Sequence, residues 1–292
     1  MQEGTRSRTA EAAAFQRAVH LVLDDSPFVF FDDEVAALLS PKLRLLLKQP
    51  AGLTRSLRSL RRTMTPELTQ LRGQIVVRSR YTEDRLQRQI SNQLSQYVIL
   101  SAGLDTFALR NGDSATQLNV YEVDQQDTQR WKRQLLKGWE PDNLHFIPVD
   151  FEQQSIADVL EQSTFNLSQP AFFSWLGTTY YLSREAIFSS LQSILAIAAS
   201  GSELVLDYWS RPPSANWRSN MLLAGVRFAV ASQSEPMLSF FKPEEIERGV
   251  SEIGFELVEN FAPDDARKAY LEGRSDKLDV PDFGYLLHLR VP

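Results

Sequence analysis

The stretch Tyr97-Val98-Ile99-Leu100-Ser101-Ala102-Gly103-Leu104-Asp105-Thr106 decides how this chain is read. Its first four residues are aromatic, β-branched or aliphatic and form a short buried strand that runs into a turn of small residues. Gly103 accepts a positive φ that other residues resist, and small side chains let a ligand approach the backbone. An Ala-Gly after a strand is also common in ordinary strand-to-helix turns, so its meaning depends on the strands that follow.

Six more β-rich runs follow, at 118–123, 145–149, 171–175, 204–208, 255–260 and 285–291. Each of the first five runs, counting 97–100, is followed by a helical pattern, among them 127–136, 155–162 and 184–199, which is the alternation of a parallel sheet with helices on both faces. Residues 262–284, between the last two runs, are too rich in charge, Pro and Gly for a crossover helix, and they predict a hairpin-like return with one antiparallel strand. The predicted fold is therefore α/β: a Rossmann-like, seven-stranded, mostly parallel sheet with its last strand antiparallel.

Upstream of residue 95 the pattern is helical. Apolar residues at helical spacing predict a helix over 9–23, with Thr9 as its N-cap, and short helices over 34–39 and 41–47. This N-terminal helical cap or lid is expected over 1–75 and the sheet domain over 76–292, with the boundary between Gly73 and Ser91.

The bulk composition narrows the function classes. With 37 acidic and 31 basic residues the net charge is −6, so the average field repels nucleic acid and anionic membranes. The absence of cysteine excludes disulfides, thiolate nucleophiles and cysteine metal sites. The N-terminus lacks the apolar run of a signal peptide, and no run of roughly 18 apolar residues occurs, so a cytoplasmic protein without an integral membrane segment is expected. No metal site is expected.

In an open parallel sheet, ligands bind beyond the carboxyl ends of the strands, where strand order reverses. The first strand ends in Ser101, Ala102 and Gly103. The second ends in Tyr121-Glu122-Val123-Asp124, about 20 residues after the turn, where a carboxylate can accept hydrogen bonds from ribose hydroxyls. Glu122 and Asp124 share a face by strand alternation, and Asp124 lies nearer the strand end. The third strand ends in Val149-Asp150-Phe151, an acid for an adenine amino group with an aromatic neighbour to cover the ring, although Asp before a helix is also a common N-cap. Together these strand ends point to an adenosine-containing cofactor. A dinucleotide would require G-x-G-x-x-G, whereas this turn carries Ser101, Gly103 and Thr106 with Asp105, whose charge repels a pyrophosphate but suits a cationic sulfonium amino acid. S-adenosylmethionine is the expected cofactor.

These motifs resemble the leucine carboxyl methyltransferase and polyketide O-methyltransferase family, in which a phrase like GAGLDT follows the first strand and EVD ends the second. Supporting matches are Val77-Arg78-Ser79-Arg80-Tyr81-Thr82-Glu83-Asp84, the segment from Thr9-Ala10 to His20 with Phe31-Asp32-Asp33, and Trp175-Leu176-Gly177-Thr178-Thr179-Tyr180-Tyr181-Leu182. The resemblance covers about residues 9–210. It implies that Arg78 binds the methionine carboxylate, that the backbone of Ser101–Gly103 holds the same end, that Asp124 takes the ribose, and that Asp150 with Phe151 takes the adenine; Trp175 joins this cofactor set. Two departures stand out. Ser101 replaces the family's usual glycine, and Leu176 replaces its usual glutamate, for which Asp105 is the available substitute. The sequence Asp150-Phe151-Glu152 lacks the arginine of the phosphatase-modifying members, which argues against a phosphatase C-terminus as acceptor.

The activity so implied is transfer of a methyl group to an oxygen. A carboxylate acceptor is ionised at neutral pH and needs no base, whereas a phenol benefits from one. None of His20, His145 and His288 is placed to act as a base. A carboxylate of a small-molecule or peptidic natural product is therefore the expected acceptor, positioned by Tyr180 or Tyr181. The alternatives are a phenolic or hydroxyl acceptor of polyketide type and a degenerate fold kept as a scaffold. Residues 42–62 carry Lys42, Arg44, Lys48, Arg55, Arg58, Arg61 and Arg62 without an acid, interleaved with leucines, a basic amphipathic pattern for a carrier or protein partner or for a lid.

Overall fold

In a computed structural model, which describes residues 8–47, 66–111, 118–150, 154–212, 216–231 and 236–292, the strands are β1 (Gln96–Leu100), β2 (Asn119–Asp124), β3 (Leu144–Pro148), β4 (Phe172–Trp175), β5 (Glu203–Trp209), β6 (Glu256–Phe261) and β7 (Gly284–Arg290). All seven lie where the sequence predicts them, within two residues at either end. They form one sheet in the order β3-β2-β1-β4-β5-β7-β6. The first five are mutually parallel, and β7 runs antiparallel to both β5 and β6. Strand order reverses between β1 and β4, which opens a crevice at their carboxyl ends.

Alternation along the strands builds two cores. Val98, Leu100, Tyr121, Val123, Phe173 and Trp175 face one layer of helices. Tyr97, Ile99, Val120, Phe172 and Val205 face the other. Burial on both faces is why β1 reads as an unbroken apolar run rather than an alternating one.

The helices are α1 (Arg8–Leu23), α2 (Pro41–Leu47), α3 (Pro66–Ser91), α4 (Phe107–Asn111), α5 (Gln126–Leu136), α6 (Ile156–Glu161), α7 (Arg184–Ile197), α8 (Trp217–Ala231), α9 (Pro243–Ile253) and α10 (Pro263–Ala266). Ser155 and Ser183 cap α6 and α7 by accepting the N–H groups of Asp158 and Ala186. Thr9 lies inside α1 rather than at its cap, because α1 already includes Arg8. The run at 34–38 forms a single 3₁₀ turn.

The expected division between cap and sheet is not visible as a break in the chain. α3 runs uninterrupted through residues 73–91, and a Cβ at Gly73 would lie 1.9 Å from the Asp279 carbonyl oxygen, so this helix is seated directly on the return segment that leads into β7. The N-terminal helices also share a core with the sheet domain, where Ala14, Ala18, Val35 and Leu38 pack with Leu104, Leu109, Trp131 and Leu136. Among the described residues, the apolar face of the N-terminal helices is buried against the sheet domain. Of the basic segment, residues 48–65 lie outside the described residues; Lys42 and Arg44 belong to α2, and Arg44 donates to the carbonyls of Ala37 and Leu39. Among the described residues no helix is long and apolar enough to cross a membrane, and no cluster of side chains is suited to a metal ion.

Candidate functional site

The turn after β1 is a half-exposed floor. Ser101 and Gly103 both sit at φ +54°. Glycine adopts that conformation freely, whereas serine there carries a cost of roughly 1 kcal/mol. The fold tolerates it because Ser101 N–H is tied to the Val123 carbonyl at 2.7 Å.

Polar residues of the N-terminal segments brace this turn. Asp32 accepts from Arg17 at 2.8 Å and from Thr106 Oγ1 at 2.8 Å, and Arg17 also donates to the Leu104 carbonyl. Arg110, at the end of α4, forms a two-pronged ion pair with Glu83 of α3. The motif pieces at 9–20, 31–33 and 77–84 thus converge on residues 104–110, where they hold the loop. α1 also covers it, since a Cβ at Gly103 would lie 3.2 Å from that of Ala10.

Asp124 ends β2 beside this floor. Its Oδ2 accepts the Gly103 N–H at 2.6 Å and its Oδ1 the Gln125 N–H at 2.6 Å. An ionised carboxylate has about four lone-pair positions, so each oxygen keeps capacity for one further donor, which matches two vicinal hydroxyls of a ribose. Burial pushes the carboxyl up to about 6, against the opposing pull of the two N–H groups and Lys132. The group is therefore desolvated, and its hydrogen bonds come from two neutral amides.

Glu122 is placed differently. Although it shares the face of Asp124, it is buried one layer deeper and gripped by Lys132 Nζ of α5 at 2.6 and 2.7 Å. Burial raises it to about 7, opposed by the ammonium. Glu122 is closed off by an internal charge pair with Lys132. Asp105 is half-exposed, and its Oδ1 caps α4 by accepting the Phe107 N–H at 2.7 Å. Asp150 follows β3, where Val149 N–H bonds the Asp124 carbonyl, so it stands on the same edge next to Asp124. Phe151 lies outside the described residues.

The other side of the crevice, at the ends of β4 and β5, centres on Asp207. Its Oδ2 accepts from Arg78 Nη1 at 2.9 Å and its Oδ1 from the Gly177 N–H at 2.6 Å. Arg78 Nη1 also donates to the Tyr180 hydroxyl at 3.2 Å. Burial alone would lower the guanidinium, but Asp207 and Tyr180 hold it above its ordinary value. Gly177 is required here twice over: its φ is +81°, and a Cβ would come within 2.7 Å of Arg78 Nη2.

Tyr180 is buried against Tyr181 and Trp209, with ring centroids 4.7 Å apart in both pairs. Trp175 has its indole fully enclosed in the core, because as the last residue of β4 it points with Phe173 toward the helices rather than into the crevice. Leu176 is half-buried and packs with the core on the opposite face of the sheet.

The strand-end reading stops at the fourth strand and so misses Asp207. An acid within the otherwise apolar Leu204-Val205-Leu206-Asp207-Tyr208 is the signal that would have found it. The histidines are all remote: His20 is buried with Asp24 at 2.7 Å, His145 stacks on Tyr121 at the amino end of β3, and His288 pairs with Glu203 at 2.9 Å at the amino end of β5.

The chain is 30% identical over 303 aligned positions to a candidate S-adenosyl-L-methionine-dependent methyltransferase, YktD of Bacillus subtilis (strain 168), covering 99% of both chains. It is 33% identical over 139 positions to a protein of the same description from Mycolicibacterium gilvum, a match spanning 46% of this chain and 44% of that one. Among solved structures, a candidate methyltransferase from Thermobifida fusca YX shares the fold, with a TM-score of 0.57 and 20% identity over 91% of this chain and 96% of that one. The profile of the leucine carboxyl methyltransferase family matches residues 10–195, the span that holds the β1 turn, Asp124 and the β4 loop, and the chain belongs to that family.

Proposed function

We propose that this protein methylates a carboxylate oxygen of a small-molecule or peptidic natural product, with S-adenosylmethionine as the methyl donor. The methyltransferase class and the donor follow from the family; the acceptor is the added step. When bound, the donor supplies an electrophilic methyl on a sulfonium. Ser101–Gly103 and Arg78 hold its amino-acid end, Asp124 its ribose and Asp150 its adenine. The donor set fits: Asp124 keeps unused acceptor capacity on both oxygens at the edge of a half-exposed turn.

The observation that carries the acceptor class is that His20, His145 and His288 are all engaged away from the crevice. A carboxylate arrives ionised and needs no base to become a nucleophile. In-line displacement then requires mainly that donor and acceptor be held in line, with water kept out. Tyr180, fixed by Arg78, and Tyr181 position the acceptor.

The test is incubation with methyl-labelled S-adenosylmethionine and a panel of carboxylic acids, peptides and phenols, followed by mild base. Label released as methanol marks an ester, as expected. Base-stable label would instead mark an ether and a hydroxyl acceptor. No heat on titrating millimolar cofactor would assign the fold to a scaffold.

A further inference from the structure

Beside the Tyr180 loop lies a cleft of about 380 Å³. Its wall is the segment around 238–242, which bonds to both parts of the site: Leu238 N–H donates to the Tyr180 carbonyl at 2.8 Å, and Phe241 N–H to the Trp209 carbonyl at the end of β5 at 3.0 Å. The cleft therefore lies against the Tyr180 loop and the carboxyl end of β5, next to the side of the crevice on which the acceptor is placed.

Its lining is aromatic and cationic. Arg184, Arg211 and Lys242 face a single acid, Glu245, a local balance of 3 − 1 = +2 on a chain whose total is −6. Arg184 is already committed to Glu245 at 3.1 Å and to the Phe240 carbonyl. Arg211 stands over the Phe240 ring at 5.3 Å, with Arg227 at 5.6 Å from the same ring. Lys242 lies beside Glu245, whose carboxylate accepts its backbone N–H at 3.2 Å and feels its ammonium charge, whereas among the described residues Arg211 has no carboxylate partner. Leu238, 59% exposed, supplies an apolar surface beside them. Exposed cations in excess over an apolar floor select an anion carried on a hydrocarbon chain.

We propose that the acceptor is such a molecule with two anionic ends: one carboxylate is methylated beside Tyr180 and Tyr181, while the other end, a carboxylate or a phosphate, is anchored by Arg211 and Lys242. This rests on the carboxylate reading above. The cleft cannot serve the reacting carboxylate itself, because an ion pair with two cations would withdraw the electron density that the displacement uses. The reacting end and the anchored end are different groups joined by the chain that crosses Leu238 and Phe240.

The test compares decanoate, decanedioate and 10-(phosphonooxy)decanoate as acceptors for the wild type and for the Arg211→Glu/Lys242→Glu variant, following methyl-ester formation and, by calorimetry, binding of each acid. The expected result is a KM about tenfold lower for a two-headed acid than for decanoate, lost in the variant with kcat little changed, as removal of one productive ion pair implies. The better of the two double-headed acids identifies the anchored group. Equal KM values for one- and two-headed acids, or a preference that survives charge reversal, would overturn the proposal and leave the carboxylate reading intact. If no acid is methylated, the carboxylate reading fails, and calorimetry still decides the cleft: binding of decanedioate that the variant loses upholds it, and absent or unchanged binding ends it. Unaltered affinity for S-adenosylmethionine certifies that the variant is folded, and Arg211→Gln replaces it should that affinity be lost.

Discussion

Two aspartates end strands on the same edge of the sheet, and the fold treats them differently. Asp124, at the end of β2, is held by two backbone N–H groups and keeps 8% of its surface open. Asp207, near the end of β5, is fully enclosed and shares its charge with Arg78. The first is an unfinished hydrogen-bonding site, with acceptor capacity left for the hydroxyl donors proposed above. The second is a finished one, whose work is to aim a guanidinium and, through it, Tyr180. A carboxylate at a strand end is thus a ligand contact or an internal brace according to whether a cation reaches it from another element. Glu122 makes the same point two residues from Asp124, since Lys132 of α5 reaches it and closes it.

This contrast can be broken by mutation. The largest effect is expected at the closed site: Asp207→Ala leaves Arg78 buried without its counter-charge and should lower the unfolding free energy by about 3–5 kcal/mol, read as the midpoint of urea unfolding. A loss below about 1 kcal/mol would mean that the pair is solvated and braces nothing. Gly177→Ala forces a Cβ against the Arg78 guanidinium at a positive φ, and should cost about 1–3 kcal/mol of stability together with most of the methyl-transfer rate. Wild-type activity in that variant would remove Arg78 from its aimed position.

At the open site the expected effect falls on the ligand instead. Asp124→Ala should weaken S-adenosylmethionine binding by about 1.5–3 kcal/mol by calorimetry, with unchanged affinity removing Asp124 from the cofactor site.

The same residue predicts a pH dependence. Burial raises its carboxyl to about 6, so the folded protein holds that proton more tightly than the unfolded chain does. Ionisation therefore costs folding stability, a cost absent below the ordinary carboxylate range near 4 and complete once pH has risen past about 6. Cofactor affinity runs the opposite way, because ribose hydroxyls donate to the ionised form. Binding should weaken as pH falls through about 6, and should take up or release no protons in Asp124→Asn over that window. The smallest effect concerns the turn between the two sites: Ser101→Gly should relieve the left-handed serine and gain up to about 1 kcal/mol in thermal unfolding.

The sheet was legible because buried parallel strands must be short and largely apolar on both faces, as β1, β4 and β5 are, while the antiparallel edge strand β6, largely exposed, is marked by its place between a helix and the return into β7. The proposed cofactor edge was legible for a related reason: Gly103, Asp124 and Asp150 follow three strands that are neighbours in space as well as consecutive in the chain, so strand-end logic brings them to one edge. Residues whose role depends on a distant partner were not legible. Arg78 lies 129 positions from Asp207, and nothing local marks either as half of a pair.

What the amino-acid sequence determined by itself is the order of strands and helices, the polar residues at the strand ends and the family they indicate, since these rest on local periodicity and on short motifs. What only the tertiary structure decided is which carboxylate remains open. Glu122 is closed by an ammonium on the next helix, Trp175 is turned into the core as the last residue of its strand, and the helix that spans the expected cap boundary packs on the far end of the chain. Charge neutralisation and close packing act through space, and they are settled only when elements far apart along the chain have been brought into contact.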